Sequence, residues 1–207
     1  MIDIYEIEQT LHNQGYEFIV GCDEVGRGPM AGPLVACGVI LPRGFKLEGI
    51  NDSKQLSLKQ REKFYDIIMK EAIEVVVKFM DVETVDRLNV YQASKQAMTY
   101  CVNNMKTRVD YVVTDAMKLD INIPVMDIIK GDAKCAAIAA ASIIAKVQRD
   151  RYMDELDKEF PEYGFKKHKG YVTKFHKEAI LKHGVTIHHR KSFKPVSDLL
   201  YVQEKLI

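Results

Sequence analysis

The sequence predicts an α/β fold in which a mixed sheet is covered by helices. Three observations carry this. Two nearly unbroken apolar runs, EFIVGCD (17–23) and PLVACGVIL (33–41), read as strands buried on both faces. Further β-branched runs follow, alternating with segments of helical periodicity. Last comes an alanine-rich stretch from about Asp132 to Phe160, smooth enough as a helix to lie close against a sheet.

The elements follow in order. Residues 4–14 read as a short leading helix, ahead of the strands at 17–23 and 33–41. NDSKQLS (51–57) is a polar connection with a helix cap at Ser57. Leu58, Phe64, Ile67 and Ile68 give residues 57–71 a helical pattern. AIEVVVKFMD (72–81) is a third strand, and residues 83–107 hold one or two helices. DYVVTD (110–115) is a fourth strand and PVMDIIK (124–130) a short fifth. The long helix from about 132 stops at Pro161, and helices near 173–183 and 195–206 end the chain.

With 207 residues, 47% hydrophobic and 29% charged, the chain suits one domain with a real core. Thirty basic residues face 29 acidic ones, so net charge selects no partner. Local charge is more telling. Residues 166–194 are rich in Lys, Arg and His and poor in acids, a surface suited to a polyanion. The cysteines, Cys22, Cys37, Cys101 and Cys135, form no CxxC pair and read as small buried hydrophobes in a reducing compartment. The N-terminus MIDIYEIEQTLHNQGY is too polar for a signal peptide, and no apolar run approaches membrane-spanning length. A cytoplasmic protein with no membrane partner is expected.

Asp23 and Asp115 each follow an apolar strand, and strand C-termini gather ligands in many α/β sheets. Carboxylates brought together there repel and lose solvation, so a proton or a cation must join them. Mg²⁺ suits such oxygen donors, and no His/Cys spacing argues for a softer metal. Glu24 poses a geometric question, because neighbouring strand residues point to opposite faces. It can share a site with Asp23 only if the strand breaks between or just after them, and Gly26 and Gly28 permit that. Plainer roles compete. A lone acid at a strand end is usually solvated surface, and Asp132 by position would cap the long helix. Asp150 and Asp154 read as an exposed helix face, with Arg149 and Arg151 as partners.

The whole stretch DEVGRGPMAGPLVACGVIL resembles the opening motif of the ribonuclease HII family. The likeness recurs in NDSKQLS, VVTDAMKL, IIKGDAKCAAIAAASIIAKVQRDRYM, YGFKKHKGYVTKFHKEAI and IHHRKSF, covering about residues 17–194. Two local departures, Cys22 for a more usual aliphatic and the residue after Asp115, leave the acids in place. The resemblance implies an RNase H-like five-stranded mixed sheet flanked by helices. It implies a single catalytic domain over 1–207, with about 161–207 as a basic C-terminal helical extension.

The resemblance carries the family's acids over to Asp23, Glu24, Asp115 and Asp132, with two Mg²⁺ or Mn²⁺ ions and Asp23 as the bridging ligand. The implied reaction hydrolyses the RNA strand of RNA–DNA hybrids. It also cuts 5′ of single ribonucleotides embedded in duplex DNA, leaving a 5′-phosphate and a 3′-hydroxyl. Gly26, Arg27 and Gly28 would meet the 2′-hydroxyl through their backbone, and Arg27 a phosphate. Tyr171 matches the tyrosine that packs on the following deoxyribose. Ser53 and Lys54 are candidate phosphate contacts. Lys169, Arg190 and Ser192 are further substrate contacts, with His188, His189 and Lys191 along the same path. Two alternatives remain: a ribonuclease HIII-like hybrid nuclease without single-ribonucleotide cleavage, and a non-catalytic nucleic-acid binding module. Retention of all four acids argues against the module, since binding a polyanion gains nothing from clustered carboxylates.

Overall fold

The computed structural model describes residues 3–51, 53 and 55–204, with the side chains of 201–204 left aside. Its chain divides into two compact units. The first comprises Met1–Val25, Val35–Lys78 and Ser94–Val147. The second comprises Gly26–Leu34, Phe79–Ala93 and Gln148–Ile207. The basic C-terminal segment therefore falls in the second unit, together with two earlier pieces of chain.

The sheet contains β1 (Ile19–Val25), β2 (Leu34–Ile40), β3 (Glu74–Met80), β4 (Tyr111–Asp115) and β5 (Val125–Ile128). Its order is β3-β2-β1-β4-β5. β1 pairs antiparallel with β2 and parallel with β4, and β4 is parallel to β5, so the sheet is mixed as expected. The central strands are sealed, which is why they read as apolar runs rather than alternating ones.

Helices cover both faces of the sheet in the first unit. α1 (Glu6–Asn13), α2 (Leu58–Glu71) and the start of α5 (Ala136–Glu159) share a core with Ile19, Val35, Val39 and Val113. The close approach of α5 needs glycine at position 21, where a Cβ would fall 2.2 Å from the Ala137 carbonyl carbon. α4 (Val90–Asn103) covers the other face, where Cys101 Cβ would lie 3.2 Å from a Cβ at Gly38. Ser57 caps α2 reciprocally: its hydroxyl accepts from Gln60 N–H at 3.3 Å, and Gln60 Oε1 accepts from Ser57 N–H at 3.0 Å. Leu58 belongs to the first turn but is 62% exposed, so the apolar stripe of α2 begins with Phe64. All four cysteines are buried and free.

The second unit packs the remainder of α5 with α3 (Val82–Leu88), α6 (Phe165–His168), α7 (Lys174–His183) and α8 (Val196–Glu204). Met30, Met153, Tyr163, Phe165, Ile180 and Val196 form its core. The helical region expected at 83–107 is two helices because Asn89 adopts φ 66° and caps α4, its side chain accepting from the N–H groups of Tyr91 and Gln92. Among the described residues, no helix is long and apolar enough to cross a membrane.

Candidate active site

The acids occupy one end of the sheet in the first unit. Register pairs Cys22 with Thr114, so Asp23 and Asp115 stand next to each other at the C-terminal ends of parallel strands. By the strand's period of two, Asp23 shares a face with Ile19 and Gly21, and Asp115 with Tyr111 and Val113. That face carries α5. Asp23 is almost fully buried, and one of its carboxylate oxygens accepts from the Glu24 amide at 2.7 Å. Ser142 on α5 also donates to it, and the Ser142 hydroxyl in turn meets Ser53 Oγ at 2.9 Å. Burial pushes the Asp23 carboxyl well above the usual range; the charges of Glu24 and Asp115 add to the rise, and the Ser142 bond opposes it.

Asp132 does not cap the long helix. It lies buried in a 3₁₀ turn, Gly131–Ala133, and α5 begins only at Ala136. The turn is tied to β4, because Gly131 N–H donates to Asp115 Oδ1 at 2.8 Å. Lys130 enters it in the left-handed region at φ 57°. Asp115 and Asp132 thus arrive by different elements at one corner. Glu24 follows Asp23 within the strand, which continues to Val25 and ends at Gly26, φ 94°. The break comes after both acids, and Glu24 is the largest charge acting on Asp23.

Four carboxylates supply hard oxygen donors, and burial, reinforced by the neighbouring negative charges, already drives Asp23 toward its protonated form. This donor set fits Mg²⁺ or Mn²⁺. As placed, no three His, Cys, Asp or Glu side chains among the described residues are gathered tightly enough to hold an ion.

The second unit builds a different surface. Gly26, Arg27 and Gly28 form a turn whose carbonyls are gripped from inside by Arg190. The Arg190 guanidinium is fully buried and donates to Gly26 O at 2.6 Å, Arg27 O at 3.2 Å and Gly32 O at 2.9 Å. Arg149 plays the same part nearby, donating to the carbonyls of Ala31, Pro33 and Lys169. Burial lowers both arginines, Arg149 to about 10 and Arg190 to about 9, yet each stays charged at neutral pH. Arg27 and Gly28 face outward, and the half-exposed Tyr171 ring lies 3.5 Å from where a Cβ on Gly28 would be. The turn and the tyrosine therefore lie side by side on one exposed surface.

A family model described as ribonuclease HII matches residues 20–196. The chain belongs to the ribonuclease HII family. A ribonuclease HII of Bacillus cereus is 51% identical over 199 residues, covering 96% of this chain and 77% of the relative. In fold, the chain resembles ribonuclease H2 from Pyrococcus horikoshii OT3, with TM-score 0.78 and 24% identity over 91% of this chain and 99% of that one. It also resembles Bst-RNase HIII in complex with Mn²⁺, with TM-score 0.69 and 18% identity over 94% of this chain and 72% of that one. The RNase H-like fold follows, and membership makes the chain a ribonuclease H, an endoribonuclease.

The other residues expected at the substrate differ in their settings. Arg190 is sealed among carbonyls, so it shapes the 26–28 turn instead of reaching a phosphate. Ser53 is 3% exposed and braces Ser142 behind Asp23. Lys54 lies outside the described residues. Lys169 pairs with Asp154 and donates to Asp150 O at 3.2 Å. Ser192 is exposed, and its hydroxyl donates to Asp86 Oδ1 at 2.5 Å. His189 is buried; His188 is half-buried, and Lys191 is exposed. Asp150 is buried, not part of a solvated helix face, and Arg149 serves carbonyls rather than carboxylates. Sequence reasoning missed Ser142, although a lone hydroxyl within AAIAAASIIAK was a visible signal.

Proposed function

We propose that this chain hydrolyses the RNA strand of RNA–DNA hybrids and cuts 5′ of single ribonucleotides in duplex DNA. The observation that carries the reading is the convergence of Asp23, Asp115 and Asp132 from two parallel strand ends and a tethered turn, with Glu24 adjoining. Asp23, Glu24, Asp115 and Asp132 would hold two divalent ions, Mg²⁺ or Mn²⁺. Bound there, such ions would supply the activation of a water and the stabilisation of the leaving oxygen in an in-line displacement, which would give a 5′-phosphate and a 3′-hydroxyl. The chain's own part is positional. Ser142 and the Glu24 amide orient Asp23, and Gly131 N–H orients Asp115.

Selection for RNA falls to the turn. Arg190 fixes the carbonyls of Gly26 and Arg27, so the outward backbone can meet a 2′-hydroxyl without rearranging. Tyr171, beside Gly28, would pack on the next sugar and favour one without a 2′-hydroxyl. A buried polar partner left unmet discriminates strongly against an all-DNA strand. Exposed Arg27, Lys166, Lys167 and Lys191 suit the phosphate backbone. Buried free cysteines fit a reducing, cytoplasmic setting.

The test is cleavage of labelled duplexes carrying zero, one or several ribonucleotides, with and without Mg²⁺ or Mn²⁺. Expected is one cut at a single ribonucleotide, several in a hybrid and none in DNA, all needing metal. Cleavage of hybrids but not of the single-ribonucleotide duplex would reject the junction reading.

A further inference from the structure

Tyr171 is held by more than its own turn. Its N–H donates to His168 O at 2.8 Å, and its carbonyl lies 3.0 Å from His176 Nδ1. His176 Nε2 lies 3.0 Å from His189 Nε2. His189 Nδ1 receives the Thr186 N–H at 3.0 Å, with Thr186 Oγ1 at 2.9 Å. These contacts admit one proton assignment. A neutral imidazole that accepts at Nδ1 carries its proton on Nε2. His189 must then donate from Nε2 to His176 Nε2. His176, accepting there, carries its proton on Nδ1 and donates it to the Tyr171 carbonyl. The chain of bonds runs one way, from Thr186 through two rings to Tyr171.

Both rings are buried, and His168 stacks on His176 with centroids 4.2 Å apart. His168 is fixed by the same logic: it accepts the Gly170 N–H at Nδ1, 3.2 Å away, and faces Tyr163 O with Nε2 at 2.8 Å. Gly170 must be glycine, with φ 84° and a would-be Cβ 2.2 Å from Ala31 O. Burial lowers His176 to about 3 and His189 to about 4, so both stay neutral near pH 7. Nothing in the proposed hydrolysis uses these histidines, yet the chain ends on the one residue given the task of sensing the junction.

We propose that His176 and His189 are positioning residues for Tyr171, fixing its backbone so that its ring stands against Gly28 and reads the sugar that follows the ribonucleotide. This rests on the role assigned to Tyr171 above, and the experiment separates the two.

Long-range ¹H–¹⁵N correlation of the wild-type protein near pH 7 reports the tautomers directly. His176 is expected with its proton on Nδ1 and His189 with its proton on Nε2; the opposite tautomer on either ring overturns the chain. Cleavage is then compared on a single-ribonucleotide duplex and a continuous hybrid. His176→Phe keeps the ring and removes the donor. It should lower the ratio of single-ribonucleotide to hybrid cleavage about tenfold, the scale of one lost buried hydrogen bond. His176→Asn places an N–H near the Nδ1 position and should restore most of that ratio. A role in stability alone would depress both substrates together, and that result overturns the proposal. Tyr171→Ala is the reference. If it leaves the ratio unchanged, the reading of Tyr171 fails and the inference fails with it. If Tyr171→Ala lowers the ratio and His176→Phe does not, the inference alone is wrong.

Discussion

Glu8→Gln should remove a large part of the pH dependence of stability. Glu8 sits on α1 and reaches the start of α5. Its Oε2 accepts the Ala136 N–H at 3.0 Å and lies 3.6 Å from the Cys135 thiol. A carboxylate at a helix N-terminus is normally favourable. Here burial dominates and pushes the carboxyl from its ordinary 4.5 to about 7, against the opposing pull of Cys135, the Ala136 and Ala137 amides and Lys46. The folded value is raised, so the folded state keeps a proton that the unfolded state has released. The stability this provides is complete below pH 4.5 and is lost as pH rises through 7. The gap is worth about 3 kcal/mol. At about 2–4 °C per kcal/mol for a chain of this size, that is about 6–12 °C in Tm.

Glutamine keeps an oxygen for the Ala136 N–H and cannot ionise. Metal-free thermal melts of both proteins between pH 4.5 and 8.5 provide the assay. The two should converge in acid, and the variant should gain on wild type as pH rises. Asp23 contributes a slope of the same sign to both proteins and cancels in the comparison. Parallel curves over the whole range would show that Glu8 is not the strained carboxyl described here.

Asp23→Asn should abolish cleavage while leaving the fold intact, and it should raise the metal-free Tm at pH 8 by removing a buried charge that is poorly solvated and repelled by Glu24 and Asp115; turnover near wild type would sink the ligand assignment. Ser142→Ala should weaken Mn²⁺ binding by about tenfold in a calorimetric titration, because Asp23 loses a bond that favours its charged form. Arg190→Lys should cost about 3 kcal/mol or more in a denaturant melt, since an ammonium cannot fork across the carbonyls of Gly26, Arg27 and Gly32. An unchanged midpoint would mean that the turn holds its own shape.

The sheet and its helices were legible because their signals are local. Apolar runs, a Ser57 cap and an alanine-rich segment each specify an element from its own residues. The strand ends were legible too, which is why Asp23 and Asp115 stood out. Boundaries set by the tertiary fold were harder to place. Asp132 looked like a helix cap because the chain gives little warning that Gly131–Ala133 turns first to deliver its amide to Asp115. Charge misled most. Arg149, Asp150, Arg190 and His189 all looked like surface, because their types usually remain there.

These burials follow from what the turn at 26–28 requires. A turn proposed to read a hydroxyl by its backbone must expose peptide groups in fixed positions. Its inward carbonyls must then be satisfied without help from a sheet or helix. Carboxylates cannot do this, because carbonyls need donors. Arginine offers five donors in a rigid fork and keeps its charge when buried. Arg149 and Arg190 together take up the carbonyls of Gly26, Arg27, Ala31, Gly32, Pro33 and Lys169. The histidine chain solves the same problem two residues beyond Lys169, supplying a neutral donor to the Tyr171 carbonyl. Arg190 and the buried histidines of the C-terminal region therefore bear on the shape of the chain around the turn rather than on any phosphate. The charge that remains outside, on Arg27 and on exposed lysines such as Lys166, Lys167, Lys177, Lys182 and Lys191, is the portion that a salt titration of binding would report.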